Sequence, residues 1–271
     1  GIAGVEGNGQ KQLEEMIMGL AKCREGSITL LGDDITHWST KKRCAKGIGY
    51  IPSDRHARAI LPAFSIRDNY LLGTQFSDKY VKSGLINYKK LNEQTEKLME
   101  HFDVRATSWK QNIGSLSGGN QQKVILARWL ATDPTFLILD EPTAVLTPQE
   151  TEKLFAILRK MRDNGSAIII ITHKLNEVMA VSDRVTVLRK GEHVKTVNTS
   201  ETNEKELADM MVGQKVTLNI DRPMPENPEL RLDVDKLSLM GNEGHLVLDG
   251  ISFSAYSGEI LGIAGIAGSG Q

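Results

Sequence analysis

Two short apolar runs, joined by an amphipathic stretch and each closing on polar residues, constrain the fold of this chain most. Thr135-Phe136-Leu137-Ile138-Leu139 ends in Asp140-Glu141-Pro142, and the run over residues 167–172 ends at His173. Each is too short for a core helix and apolar at successive positions, the pattern of a strand buried on both faces. Between them, residues 151–161 place Leu154, Phe155, Leu158 and Met161 on one helical face, and Asn164-Gly165 stops the helix. Strand, helix and strand in this order predict a parallel crossover unit. Residues 47–51, stopped by Pro52, and residues 185–188 add two further strands. Residues 28–31 read as a short strand entering the turn Gly32-Asp33-Asp34, and residues 65–72 and 91–102 carry helical spacing. The expectation is an α/β fold with a parallel sheet covered by helices.

Composition narrows the function classes. The 271 residues carry a net charge of −1 and 40% hydrophobic residues, which excludes a mainly disordered chain and a nucleic-acid binder acting by bulk positive charge. With 5% aromatic residues an aromatic platform for stacking bases is not expected either, so no nucleic-acid partner is expected. Cys23 and Cys44 form neither a disulfide framework nor a metal-binding cluster, and read as two thiols in a reducing compartment. No apolar run approaches the roughly 18 residues of a membrane span, and no export signal opens the chain.

The two ends repeat each other. Residues 1–10 and 262–271 agree at seven of ten positions, an offset of 261 residues. A period of this length is a whole domain. Together with the missing initiator Met, it leads to the expectation of one repeat of a two-domain protein, cut inside the same loop on both sides. Pro223, Pro225 and Pro228 mark residues 221–229 as a linker. Beyond it, Leu230, Leu232 and Val234 alternate with charged residues, and Ile251, Phe253 and Ala255 alternate as well, as in half-buried antiparallel strands. Ile260-Leu261 is expected to be a strand feeding the terminal loop.

Three segments carry chemistry. Gly4, Gly7, Asn8 and Gly9 have the spacing of a phosphate-binding loop, in which small residues let backbone N–H groups close on oxygen ahead of a helix N-terminus. Gln10 stands where the phosphate-binding Lys belongs, and Lys11 where the Mg²⁺-binding Ser or Thr belongs. Leu116-Ser117-Gly118-Gly119-Asn120-Gln121 leaves backbone amides and a hydroxyl at another helix start. Asp140 at the end of a buried strand can hold the water shell of Mg²⁺, and Glu141 can orient an attacking water. His173 ends the following strand.

Together these residues resemble ABC-type ATPases, the nucleotide-binding domains of ABC transporters. Leu116 to Gln121 resembles the signature motif, Phe136 to Glu141 Walker B, Thr172-His173 the switch-histidine loop, and residues 4–11 a degenerate Walker A. Residues 144–147 resemble the D-loop, with Thr147 in place of its usual Asp. The resemblance implies a RecA-like P-loop core over residues 1–220, with a helical subdomain near residues 65–130 and a small antiparallel β subdomain. Residues 230–271 would be the N-terminal β portion of a following ABC ATPase domain, or the permuted β subdomain of this one. It also implies a dimer with a second ABC ATPase domain, in which Ser117, Gly118 and Gly119 close on the partner's ATP. Asp140 would hold Mg²⁺, Glu141 would orient water and His173 would contact the γ-phosphate.

Within the family, the chain is similar to the fused tandem ATPases of ribose-, galactose- and nucleoside-type importers. Residues 51–56 and 117–123 resemble the second domain of those proteins, whereas residues 140–150 and Met211-Val212-Gly213 resemble the first. The implied partners are transmembrane permease subunits and a periplasmic or lipoprotein substrate-binding protein, with the chain peripheral at the cytoplasmic face of the membrane. Soluble ABC ATPases of DNA repair or translation are disfavoured, because no long coiled-coil insertion or strong basic region is visible. Gln10 lacks the charge of the Walker lysine, which favours a non-hydrolysing nucleotide-binding module as the alternative. Ser53 occupies the Q-loop position, where the family has Gln or a carboxylate, and the adenine-stacking aromatic is missing near residues 242–245.

Overall fold

The computed structural model describes residues 1–5, 7–74, 80–82, 84–215, 227–240 and 246–263. The chain divides into two units, Gly1–Val216 and Thr217–Gln271. In the first, strands β1 (Ile2–Ala3), β2 (Ile48–Ile51), β3 (Phe136–Asp140), β4 (Ala167–Thr172), β5 (Arg184–Arg189) and β6 (Glu192–Asn198) form a six-stranded sheet in the order β6-β5-β1-β4-β3-β2. Every neighbouring pair is parallel except β5 with β6.

Alternate residues of a strand face opposite sides of the sheet, and here both sides are covered. On one side Leu137 and Leu139 pack with Ile66, Val124, Phe155 and Leu158. On the other, Ile138 packs with Ile2, Met18, Ile35 and Ile48. Each fully buried side chain of this size contributes about 1.5–3 kcal/mol of transfer free energy, and Leu137, Ile138 and Leu139 of β3 are all fully buried between the two layers. The sheet is accompanied by helices α1 (Gln10–Met18), α2 (Ile66–Leu71), α3 (Tyr88–His101), α4 (Gly118–Leu130), α5 (Pro148–Asp163), α6 (Leu175–Val181) and α7 (Glu204–Val212), together with the short helical segments Thr40–Ala45 and Arg55–Arg58.

Their starts follow local capping chemistry. Ser65, Asn87, Ser117, Thr147 and Asn203 each accept a hydrogen bond from an amide of the first turn. Thr147 and Glu150 form a reciprocal capping box with Pro148 at the first helical position. The residue that departs from the D-loop pattern therefore starts α5.

Some elements differ from the sequence expectation. β6 shows no clean alternation because its register with β5 shifts between His193 and Lys195; the bulge breaks the period of two. α7 was not legible either, although Leu207 and Met211 are buried with Val185 and Val187.

In the second unit, β7 (Leu230–Met240) and β8 (Leu246–Tyr256) pair antiparallel, with Val234 opposite Phe253. The expected half-burial holds at Val234, Phe253 and Ala255 and fails at Leu230 and Leu232, both 52% exposed. A two-stranded ladder has no second layer of its own to cover a face. The strand expected at Ile260-Leu261 is absent: residues 257–263 run as turn and coil, and Ile260 is fully exposed. A strand persists only where a neighbour pairs its backbone groups. Residues 221–226 of the expected 221–229 linker, residues 242–245 and the terminal repeat from 264 onward lie outside the described residues.

Candidate functional site

Parallel strands bring their carboxyl ends to one edge of the sheet, where ligands of α/β folds bind. β1 delivers the glycine-rich loop to that edge, β2 delivers Pro52-Ser53, β3 delivers Asp140-Glu141 and β4 delivers His173. Ala3 pairs with Thr172, so the loop begins beside the strand that carries His173.

The loop turns on Gly7 and Gly9, whose φ angles of 87° and 101° lie in the left-handed region that disfavours side chains. A Cβ on Gly9 would also come within 3.3 Å of Gly191 Cα. Asn8 Nδ2 donates to Val5 O at 2.9 Å, and Asn8 Oδ1 accepts from Lys190 N at 2.6 Å, which ties the loop to the β5–β6 turn. Gly9 gives α1 no side-chain cap, so the positive end of the helix is open. Gln10 is buried and donates from Nε2 to Val5 O at 3.0 Å, a contact inside the loop. Lys11 is exposed on the first turn of α1.

The acidic cluster is tighter than its sequence spacing suggested. Glu141 sits at φ 45°. Its Oε1 accepts from His173 N at 2.9 Å and lies 2.7 Å from His173 Nδ1, and its Oε2 accepts from Thr172 Oγ1 at 3.3 Å. Asp140 is buried at the end of β3. Burial and then the neighbouring Glu141 charge push its pKa up, while hydrogen bonds from the Ser53 hydroxyl and amide pull it down. Glu14, 2% exposed on α1, faces the same carboxylate. Burial first, and the Asp140 charge second, raise Glu14 to about 7, against the Tyr50 hydroxyl that donates to its Oε1 at 2.8 Å. Its other oxygen is buried without a hydrogen-bond partner.

A hard divalent cation fits this donor set. Asp140 offers a strand-end carboxylate, Ser53 a hydroxyl, and a cation would relieve the crowding of Glu14, Asp140 and Glu141. Among the described residues no group of three or more His, Cys, Asp or Glu is placed to hold a metal ion, so oxygens from outside that set would have to supply most of the shell.

The signature segment starts α4. Ser117 Oγ accepts from Asn120 N at 3.5 Å and Asn120 Nδ2 at 3.0 Å, and Asn120 Oδ1 accepts from Arg105 N at 2.8 Å. Leu116 is buried. Gln121, 4% exposed, donates from Nε2 to Leu116 O at 3.1 Å. Sequence reasoning assigned no role to Glu14, Tyr50 or Arg55. No spacing separates buried Glu14 from half-exposed Glu15, and only packing does. A cavity of about 1130 Å³ is lined by Tyr70, Leu91, Arg128 and Trp129 and extends to Tyr50 on β2.

Among the described residues no helix is long and apolar enough to cross a membrane. The nucleoside import ATP-binding protein NupA of Lactococcus lactis subsp. cremoris (strain MG1363) is 37% identical over 216 residues, 80% of this chain and 43% of its own length. The ribose import ATP-binding protein RbsA of Bacillus licheniformis is 33% identical over 270 residues, 100% of this chain and 52% of its own length. The glucose import ATP-binding protein TsgD13 of Haloferax volcanii is 35% identical over 299 residues, with 100% and 53% covered. The chain thus spans about half the length of these relatives.

A dimeric, post-hydrolysis structure of the ATP-binding cassette MJ0796 with ADP and Pi superposes with a TM-score of 0.63 at 23% identity, covering 73% of this chain and 84% of that one. The fold is therefore that of an ATP-binding cassette with a RecA-like P-loop core. Residues 1–144 match the family described as ABC transporter. That match takes in both the glycine-rich loop and the Asp140-Glu141 pair, and this chain belongs to the ABC transporter family.

Proposed function

We propose that this chain is the ATP-binding subunit of an ABC importer for sugars or nucleosides, or a fragment of one. It binds and hydrolyses ATP at an interface with a second ABC ATPase domain. The importing relatives support the substrate class, and with it the partners: transmembrane permease subunits and a substrate-binding protein, with this chain peripheral at the cytoplasmic face of the membrane.

The observation that carries the reading is the Glu141 carboxylate held by His173 and Thr172 beside Asp140. Glu141 orients the attacking water and takes its proton. His173, exposed at the strand end, reaches toward the γ-phosphate. The loop amides of Gly7, Asn8 and Gly9, with Gln10 and Lys11, and the open start of α1 hold the phosphates. Asp140 and Ser53 are the residues that would hold Mg²⁺, which neutralises phosphate charge when bound. Ser117, Gly118, Gly119, Asn120 and Gln121, with Leu116 anchoring them, face the nucleotide of the partner domain.

Replacing Glu141 by Gln keeps the volume and removes the base. Hydrolysis should fall on the order of 10²–10³-fold with ATP binding retained. An unchanged rate would remove Glu141 from the mechanism. A second reading, a nucleotide-binding module that does not itself turn over, is favoured by Gln10: its amide bonds within the loop and brings no charge to phosphate. A wild-type chain that binds ATP and shows no turnover beyond Glu141→Gln would select it.

A further inference from the structure

The site at the strand ends and the signature segment are joined by a continuous chain of contacts that passes through Arg55. β2 ends at Ile51, and Ser53 lies beside the Asp140 carboxylate, close enough to lower its pKa. Arg55 N donates to Ser53 O at 3.1 Å, at the start of a short helical turn, Arg55–Arg58, capped by Asp54 Oδ1 accepting from Ala57 N at 3.0 Å. The Arg55 side chain then leaves this turn for α4. Its Nε donates to Gln121 Oε1 at 3.1 Å. Gln121 passes the constraint on: Nε2 donates to Leu116 O at 3.1 Å and to Ile113 O at 3.3 Å, the carbonyls that lead into Ser117.

Two glycines make this approach possible. A Cβ on Gly118 would meet Arg55 Nη2 at 2.9 Å, and one on Gly119 would meet Val145 O at 3.1 Å. The glycines of the signature segment thus leave room for Arg55 on one side and for the turn after Asp140-Glu141 on the other. A planar guanidinium suits the place, because Nε bonds Gln121 while the fork lies against Gly118; a lysine ammonium cannot do both.

We infer that Arg55 is a positioning residue: through Gln121 it fixes residues 116–119 relative to the Ser53–Asp140 end of the sheet. Occupancy of this chain's own phosphate site is thereby transmitted to the segment it presents to the partner domain. The transmission rests on the importer reading above; the brace itself does not.

Hydrogen exchange of the intact chain, read at the amides of residues 116–121, tests both. Without nucleotide, Arg55→Ala and Gln121→Ala should each speed exchange there by about tenfold, with residues 124–130 unchanged. The double variant should be no faster than Gln121→Ala alone. Arg55→Lys should not restore protection, and it serves as the test if the alanine variant does not fold. With Mg-ATP, the wild-type segment should change its exchange and Arg55→Ala should bind with the response lost. Wild-type exchange in Arg55→Ala, restoration by Lys, or additive effects would overturn the brace. Mg-ATP binding by the wild type with no change at 116–121 would overturn the transmission alone. A wild-type chain that does not bind Mg-ATP would overturn the nucleotide reading and the transmission with it, and the nucleotide-free exchange would still decide the brace.

Discussion

α1 and α4 both begin at glycine-rich segments, yet they end up treating a buried charge in opposite ways. α1 starts at Gly9 in the left-handed region without a side-chain cap, while α4 starts at Ser117, whose hydroxyl takes the Asn120 amide. One turn further in, each helix buries an ionisable side chain. On α1 it is Glu14, which has the Tyr50 hydroxyl for a partner and the Asp140 carboxylate for a neighbour. On α4 it is Lys123, whose Nζ lies 2.7 Å from Glu150 and donates to Asp103 O at 2.8 Å. Lys123 thus finds both an anionic and a carbonyl partner within this chain. α1 keeps an open helix start and like charges close together, an arrangement that a cation and a polyanion together would satisfy.

The comparison can be broken at three places. The largest effect belongs to Lys123→Ala, which removes one side of a buried pair. Glu150 is 25% exposed, so the loss should be about 2–3 kcal/mol, below the figure for fully buried pairs. A urea midpoint within error of wild type would show that this pair does not stabilise α4.

Next comes Glu14. Its folded pKa of about 7 lies above its unfolded value near 4.5, so the folded chain binds the proton more tightly. Stability contributed by the protonated form is therefore present below about pH 4.5 and lost as pH rises to about 7. Glu14→Gln should be indistinguishable from wild type at pH 4.5 and gain stability through that window. It should level off above pH 7 at about 2–3 kcal/mol, measured without divalent cations. A pH-independent difference would mean that burial and the Asp140 charge do not raise the Glu14 pKa.

The smallest effect sharpens the contrast at the helix starts. Ser117→Ala removes a long, 3.5 Å cap and should cost about 0.5–1 kcal/mol in thermal unfolding. Alanine at Gly9 would instead act through backbone strain, because no side-chain cap exists there to lose.

β3, α5 and β4 were legible because their signals are local. An apolar run of strand length, a 3.6-residue stripe and the Asn164-Gly165 stop each act over a few residues. The strand-end positions of Asp140, Glu141 and His173 follow from the same runs, and the glycine spacing of residues 4–9 reads directly as a loop with left-handed turns. β6 escaped because its bulge breaks the alternation, and the exposure of β7 and β8 escaped because alternation says which face is apolar and not what covers it.

By itself, then, the sequence determined the kinds of element and the edge at which their polar ends gather. Only the tertiary structure decided that Glu14 faces Asp140, that His173 bonds Glu141, and that Arg55 reaches Gln121. Backbone geometry and apolar periodicity are set by near neighbours. The partner of a charge is set by which distant segments the sheet order brings together, and a single chain's spacing carries no record of that.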